Sequence, residues 1–232
     1  MQRVMRNTAS LAVLAAALVG AFGAQAADLS AAPVYTKAPA AIEEWNPWMI
    51  RVRAVGVLPD GKSTVYVQGA PASSSPYSSL HISDQAIPEL DITYFFTRNL
   101  AAELILGVSR HSIDGTGALA GTYVGKTTVL PPTLTFQYHF TQFGAFKPYV
   151  GLGVNYSTFF DTKSPLGRFA IGDSFGAAAQ FGFDYMIDRH WGWNVDVKKV
   201  WMRPEYSIGN GAITGTAHID PWLIGTGITY KF

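Results

Sequence analysis

Residues 222–232, at the end of the chain, read W-L-I-G-T-G-I-T-Y-K-F, and they decide the fold. One parity of this stretch carries the large residues Trp222, Ile224, Ile228, Tyr230 and Phe232, whereas the other parity carries mostly small or polar residues. A period of two is typical of a β-strand whose two faces meet different environments. The sequence therefore predicts a terminal strand with a large apolar face, and the rest of the chain must supply its neighbours.

The composition favours a surface in contact with lipid. Charged residues make up only 14% of the 232 residues, whereas aromatic residues reach 13% and there are 23 glycines; about 25% charged residues is usual in soluble proteins. The net charge of +1 gives no reason to expect a nucleic-acid partner. The absence of cysteine excludes a disulfide framework, thiol catalysis and Cys-ligated metal.

The start of the chain has the three parts of a secretory signal peptide. Arg3 and Arg6 provide the positive region, residues 11–22 form a short apolar run, and A-Q-A at 24–26 is a small-x-small cleavage site. The apolar run is shorter than the roughly 20 residues that a spanning helix needs. We therefore expect residues 1–26 to be a signal peptide and residues 27–45, which lack periodicity, to be a periplasmic leader.

Seven further stretches alternate in the same way over the roughly 9–11 residues that a tilted spanning strand requires. They are residues 46–58, 87–97, 99–110, 132–140, 148–159, 174–187 and 191–202. Lys199 breaks the pattern by falling on the apolar parity, so it either reaches an interface or marks a bulge. With the terminal strand, these stretches predict an all-β fold over residues 46–232, an eight-stranded antiparallel transmembrane β-barrel of up-and-down topology.

The connections between these strands alternate in length. Residues 98–99, 141–147 and 188–190 are short connections, and residues 59–86, 111–131, 160–173 and 203–216 are long ones. Short periplasmic turns and long extracellular loops are typical of outer-membrane barrels. The pattern predicts that both termini lie on the periplasmic side.

Charged and polar residues fall on the parity opposite to the large apolar ones. A soluble β-sandwich or lipocalin-like barrel would have to bury them in an apolar core at high cost, whereas a polar lumen accepts them. Eight strands leave an interior just wide enough for side chains, which argues for a narrow apolar path or no path. The predicted lumen-lining residues are Arg51, Arg53, Glu89, Asp91, Glu103, Gln137, His139, Asn155, Gln180, Asp184, Asp196 and Lys198.

Five blocks of the sequence, in order, resemble the outer-membrane protein W (OmpW) family. They are IPELDITYFFTRNLAAEL (87–104), LPPTLTFQYHF (130–140), FKPYVGLGVNY (146–156), DVKKVWM (196–202) and IDPWLIGTGITYKF (219–232). The resemblance implies a narrow, largely hydrophobic lumen closed towards the periplasm, and passage of small apolar compounds into the membrane through a lateral opening. Residues 59–86 depart from the family, so no gate residue is transferred to them.

The same resemblance implies a location in the bacterial outer membrane. The expected partners are outer-membrane lipids, small hydrophobic solutes and the barrel assembly machinery, which would read Tyr230 and Phe232 as an assembly signal. No cofactor is expected.

Four prolines are candidates for the lateral opening. Pro88, Pro131, Pro132 and Pro148 each lack the N–H group that a strand ladder needs, so each could loosen strand pairing. The alternative is that they only begin strands.

Catalysis has few candidate residues. Ser109 and His111 share a parity, and His139 and His218 are further histidines, but the sequence has neither a G-x-S-x-G elbow nor an H-E-x-x-H metal motif. We therefore expect a non-enzymatic protein. Its expected function is a channel for small hydrophobic molecules; the alternative is a structural protein whose surface loops act as a receptor or adhesin.

Overall fold

The computed structural model describes residues 45–71, 80–116 and 120–232. The predicted signal peptide and the predicted leader, except for Trp45, lie outside the described residues, as does part of the long connection at 59–86. In the described part of the chain, no helix is long and apolar enough to cross a bilayer.

The described residues form β-strands joined by turns and irregular segments. In chain order the strands are β1 (Trp48–Leu58), β2 (Lys62–Ser63), β3 (Tyr66–Val67), β4 (Ala70–Pro71), β5 (Leu80–Ile82), β6 (Gln85–Phe95), β7 (Leu100–Gly107), β8 (Ser109–Gly115), β9 (Tyr123–Leu130), β10 (Thr133–His139), β11 (Phe146–Lys163), β12 (Phe169–Ile171), β13 (Ser174–Met186), β14 (Trp191–Val200), β15 (Glu205–Ile208), β16 (Ile213–His218) and β17 (Trp222–Lys231).

Eight long strands close into an antiparallel barrel, which confirms the predicted fold. Around the ring they are β1, β6, β7, β10, β11, β13, β14 and β17. The ring closes because β17 pairs with β1 from Met49↔Lys231 to Leu58↔Trp222. Each strand alternates between buried and exposed positions, so successive side chains point into the barrel and towards the lipid.

The turns at the periplasmic end are short. They cover residues 96–99, 140–145 and 187–190, close to the predicted positions. Asp188 holds the last of them, because its Oδ1 accepts bonds from the backbone N–H groups of His190 at 2.7 Å and Trp191 at 2.6 Å. These two bonds lower the pKa of the Asp188 carboxyl.

The described parts of the long extracellular connections contain additional strands. The segment after β7 continues as the hairpin β8–β9. A small six-stranded sheet of its own has the order β12, β15, β16, β3 and β4, with β2 also paired to β16. A separate apolar core fixes this region; it comprises Val65, Leu80, Ile113, Val124, Phe169, Tyr206, Ile208 and Ala217. These strands were not predicted from the alternation of residues, because most of them are only two to four residues long.

The outer surface carries interlocking aromatic rings near the periplasmic end. Trp48 packs edge-on against Tyr94 at 4.9 Å between ring centroids, and Trp191 packs in the same way against Tyr230 at 4.8 Å. Such girdles suit the boundary between lipid tails and headgroups. Lys199 pairs in regular register with Trp222, so it marks no bulge; its Nζ donates to the Asp220 carbonyl and lies 5.0 Å from the Trp222 ring centroid.

Candidate functional site

An ion-pair network fills the periplasmic half of the lumen. We call it the ionic plug; it comprises Arg51, Arg53, Glu89, Asp91, Glu103, Asp184, Asp196 and Lys198. Every one of these side chains was predicted to face the lumen, and all of them are at most 3% exposed. They come from β1, β6, β7, β13 and β14, so the plug ties together strands that are far apart in sequence.

Arg51 binds two carboxylates on different strands. Its guanidinium forms a fork on Asp184, with Nε to Oδ1 at 3.0 Å and Nη2 to Oδ2 at 2.7 Å, while Nη1 pairs with Glu103. Bidentate Arg–carboxylate pairs are among the stronger polar contacts in proteins. Arg51 therefore fixes β1 against β13 and β7 across the lumen.

Arg53 is the centre of the second half of the plug. It pairs with Asp91 at 2.7 Å, Glu89 at 3.1 Å, Glu103 at 3.3 Å and Asp196 at 3.4 Å. Lys198 completes this group with bonds to Glu89 at 2.7 Å and Asp196 at 2.8 Å. Buried charges must be paired to be tolerated, and this arrangement pairs each cation with several anions.

The remaining polar residues predicted for the lumen are also buried. His139 Nε2 lies 2.8 Å from Gln137 Oε1, and its ring stacks on Tyr149 at 5.0 Å between centroids. Gln180 donates to Glu103 at 3.3 Å. These contacts give His139 a hydrogen-bonding role beneath the plug, whereas Asn155 lies higher in the barrel.

An apolar chamber lies above the plug. Its walls include Val57, Ile105, Val129, Phe159, Val200 and Leu223. Glu89 and Lys198 form its floor, and members of the extracellular core such as Leu80, Ile113 and Phe169 line its upper part. The cavity volume of the chamber is about 70 Å³, so the chamber is narrow. It can hold a small apolar molecule and gives no wide aqueous pore.

The barrel wall is interrupted beside this chamber. The β7–β10 ladder runs up to Ile105↔Thr133, and the β8–β9 ladder begins at Ser109↔Val129. Both ladders have the same register, which places Leu106 opposite Pro132, Gly107 opposite Pro131 and Val108 opposite Leu130. These three positions are not paired. Gly107 and Pro131 both line the chamber. We call this interruption the wall break.

Side chains of β10 and β11 brace the wall break. Asn155 Nδ2 donates to the Pro131 carbonyl at 3.1 Å and to Thr133 Oγ1 at 2.8 Å, and Thr133 Oγ1 donates to the same carbonyl at 3.0 Å. On the β11 side the wall stays closed, because the Tyr156 N–H donates to the Pro132 carbonyl at 3.0 Å. The break is thus confined to the side that faces Gly107.

The four candidate prolines differ in their positions. Pro131 and Pro132 lie in the wall break, and Pro88 lies just past Glu89↔Gly107, where the β6–β7 ladder ends. Pro148 lies in the continuous β11–β13 ladder opposite Phe183, so pairing is uninterrupted there. The sequence analysis did not assign Gly107 or Thr133 to a lateral opening. The signal that could have found this place is a pair of prolines opposite a glycine on the neighbouring antiparallel strand.

Ser109 and His111 form a hydrogen-bonded pair on the chamber wall. His111 Nε2 lies 2.9 Å from Ser109 Oγ, and His111 Nδ1 lies 2.7 Å from the Ser83 carbonyl oxygen. Burial lowers the pKa of His111, an effect that the bond to Ser83 partly offsets. The third partner is a backbone carbonyl rather than the carboxylate of a catalytic triad. Among the described residues, no cluster of His, Asp or Glu could hold a metal ion.

A closed eight-stranded barrel with an aromatic girdle, a lipid-facing apolar surface and a plugged lumen defines a bacterial outer-membrane protein. The OmpW family model matches residues 47–232, and the chain belongs to that family. The chain is 48% identical to the outer-membrane protein y4mB of Sinorhizobium fredii, over 98% of this chain and 99% of the relative.

Two further likenesses bear on the site. The crystal structure of OprG from Pseudomonas aeruginosa superposes with a TM-score of 0.73 at 31% identity, over 80% of this chain and 95% of that one. The dibenzothiophene metabolism operon protein PahQ of Pseudomonas aeruginosa is 26% identical, over 86% of this chain and 95% of the relative.

Proposed function

We propose that this protein admits small hydrophobic molecules from the cell exterior and releases them sideways into the outer membrane. The solute enters the apolar chamber, meets the ionic plug below it, and leaves through the wall break. This route never exposes the solute to the aqueous periplasm.

The observation that carries the proposal is the placement of the wall break. An apolar chamber closed below by paired charges has no continuous aqueous exit, because an apolar solute would have to separate buried ion pairs and leave their charges uncompensated. The wall break lies at the height of the chamber, and Gly107 and Pro131 belong to both. Lipid on the other side of the wall is a favourable destination for such a solute.

One relative supports the same class of solute. PahQ is named for dibenzothiophene metabolism, and dibenzothiophene is an apolar molecule. The likeness to PahQ extends over most of both chains.

The test is a reversible closure of the wall break. Because the chain has no cysteine, Leu106→Cys with Pro132→Cys introduces the only thiols, at positions that face each other across the break. Oxidation should slow uptake of N-phenyl-1-naphthylamine several-fold in lipopolysaccharide-coated proteoliposomes, and a reductant should restore it. Ion conductance should stay small in both states.

The matched control is Leu104→Cys with Leu134→Cys, a directly paired position on the same two strands below the break. Its oxidation should leave uptake unchanged. Uptake no faster than with an unrelated eight-stranded barrel would reject the transport function and favour an interaction role for the extracellular strands. Large steady ion currents would show that the ionic plug does not seal.

A further inference from the structure

The chamber wall carries a buried polar pair that an apolar conduit does not need. Ser109 and His111 are 4% and 6% exposed, and both line the chamber, together with aliphatic side chains and the polar residues Thr127, Thr133 and Asn155. They come directly after the wall break, at the start of β8, so a solute turning towards the break passes them.

The hydrogen-bond partners of Ser109 and His111 determine which of their atoms carry a hydrogen. The Ser83 carbonyl can only accept, so His111 Nδ1 carries the hydrogen, and Nε2 of the neutral ring must accept from the Ser109 hydroxyl. Ser109 Oγ then keeps lone pairs, whereas its own hydrogen is already used. The pair therefore offers an acceptor, and no free donor, to whatever occupies the chamber.

We propose that Ser109 and His111 form a binding site for a hydroxyl donor, so that the preferred solutes are apolar molecules bearing one alcohol or phenol group. This inference rests on the proposed transport function and narrows its substrate class. The solute hydroxyl donates to Ser109 Oγ while its apolar body fills the chamber. A ketone or ether gains nothing comparable, because Ser109 would have to release His111 Nε2 in order to donate to it.

Three molecules with one aromatic body test this selectivity: naphthalene, 2-naphthol and 2-methoxynaphthalene. Binding is measured with the full barrel in lipid nanodiscs, and the signal of protein-free nanodiscs is subtracted to remove partition into lipid. We expect the wild-type protein to bind 2-naphthol about 2- to 10-fold more tightly than 2-methoxynaphthalene, which is the affinity ratio that one buried hydrogen bond produces.

The double variant Ser109→Ala/His111→Leu should bring this ratio close to one while naphthalene still binds. Ser109→Ala alone should keep part of the preference, because His111 Nε2 becomes available as an acceptor. Ser112→Ala is the matched control; Ser112 lies on the same strand with its side chain exposed, and the ratio should not change. Folding of each variant is checked by heat-shifted mobility on gels.

The outcomes separate the two proposals. Naphthalene binding with a wild-type ratio of one overturns the hydroxyl site and leaves the transport function standing. Absence of binding by all three molecules contradicts the transport function itself. The wild-type ratio decides the hydroxyl site even if the double variant does not fold.

Discussion

The two halves of the lumen are built on the same strands and hold opposite contents. On β1, Arg53 belongs to the ionic plug and Val57 lines the chamber; on β7, Glu103 belongs to the plug and Ile105 lines the chamber. Two residues along a strand correspond to about 7 Å. A single step along the inner face of β7 thus separates a sealed, charged interior from an apolar one, which shows that side chains rather than barrel dimensions decide what the lumen admits.

The largest expected effect comes from breaking the plug. Arg53→Met removes a cation that pairs with four carboxylates and leaves buried negative charge less compensated, so we expect the free energy of unfolding to fall by about 3–5 kcal/mol. Urea unfolding of the barrel in lipid vesicles measures this loss. Lys62→Met, at an exposed ion pair with Asp60, is the control and should change little. A loss below about 1 kcal/mol for Arg53→Met would show that the plug does not stabilise the barrel.

A smaller effect is expected at the brace of the chamber wall. Asn155→Ala removes the donor to the Pro131 carbonyl and to Thr133 Oγ1, and the loss of these buried bonds should cost about 1–3 kcal/mol. Amide hydrogen exchange at the start of β10 should accelerate more than exchange in β17. Equal acceleration in both strands would indicate global destabilisation rather than a local role at the wall break.

The smallest effect is expected in the turn below the plug. Asp188→Ala removes two bonds to backbone N–H groups at an exposed position, so the unfolding midpoint should fall only slightly. Since the bonds depend on the carboxylate, whose pKa is lowered in the folded state, this contribution is present above the ordinary Asp pKa and disappears as the pH falls through the lowered value. A midpoint difference between wild type and Asp188→Ala that persists at the lowest pH would contradict this account.

Much of this arrangement follows from the sequence because a period of two assigns each side chain to a face. Arg51, Glu103 and Asp184 could be placed inside the barrel from alternation alone. Their pairing could not, because Arg51 and Asp184 are separated by 133 positions and meet only when β1 and β13 take their places in the ring. Likewise, Pro131 and Pro132 were visible as weak points, but Gly107 and Asn155 gain their roles only through register.

The shared register on either side of the wall break has a mechanical consequence. A strand that slips by one residue turns every side chain to the opposite face. In a barrel wall such a slip would place polar side chains in lipid and large apolar side chains in the lumen, so the register is strongly specified. Here the paired residues below the gap and those above it have the same register. Opening the gap therefore requires only that the two strands move apart over the three unpaired positions. Closing it restores the same pairs on both sides, because no residue has to change its partner.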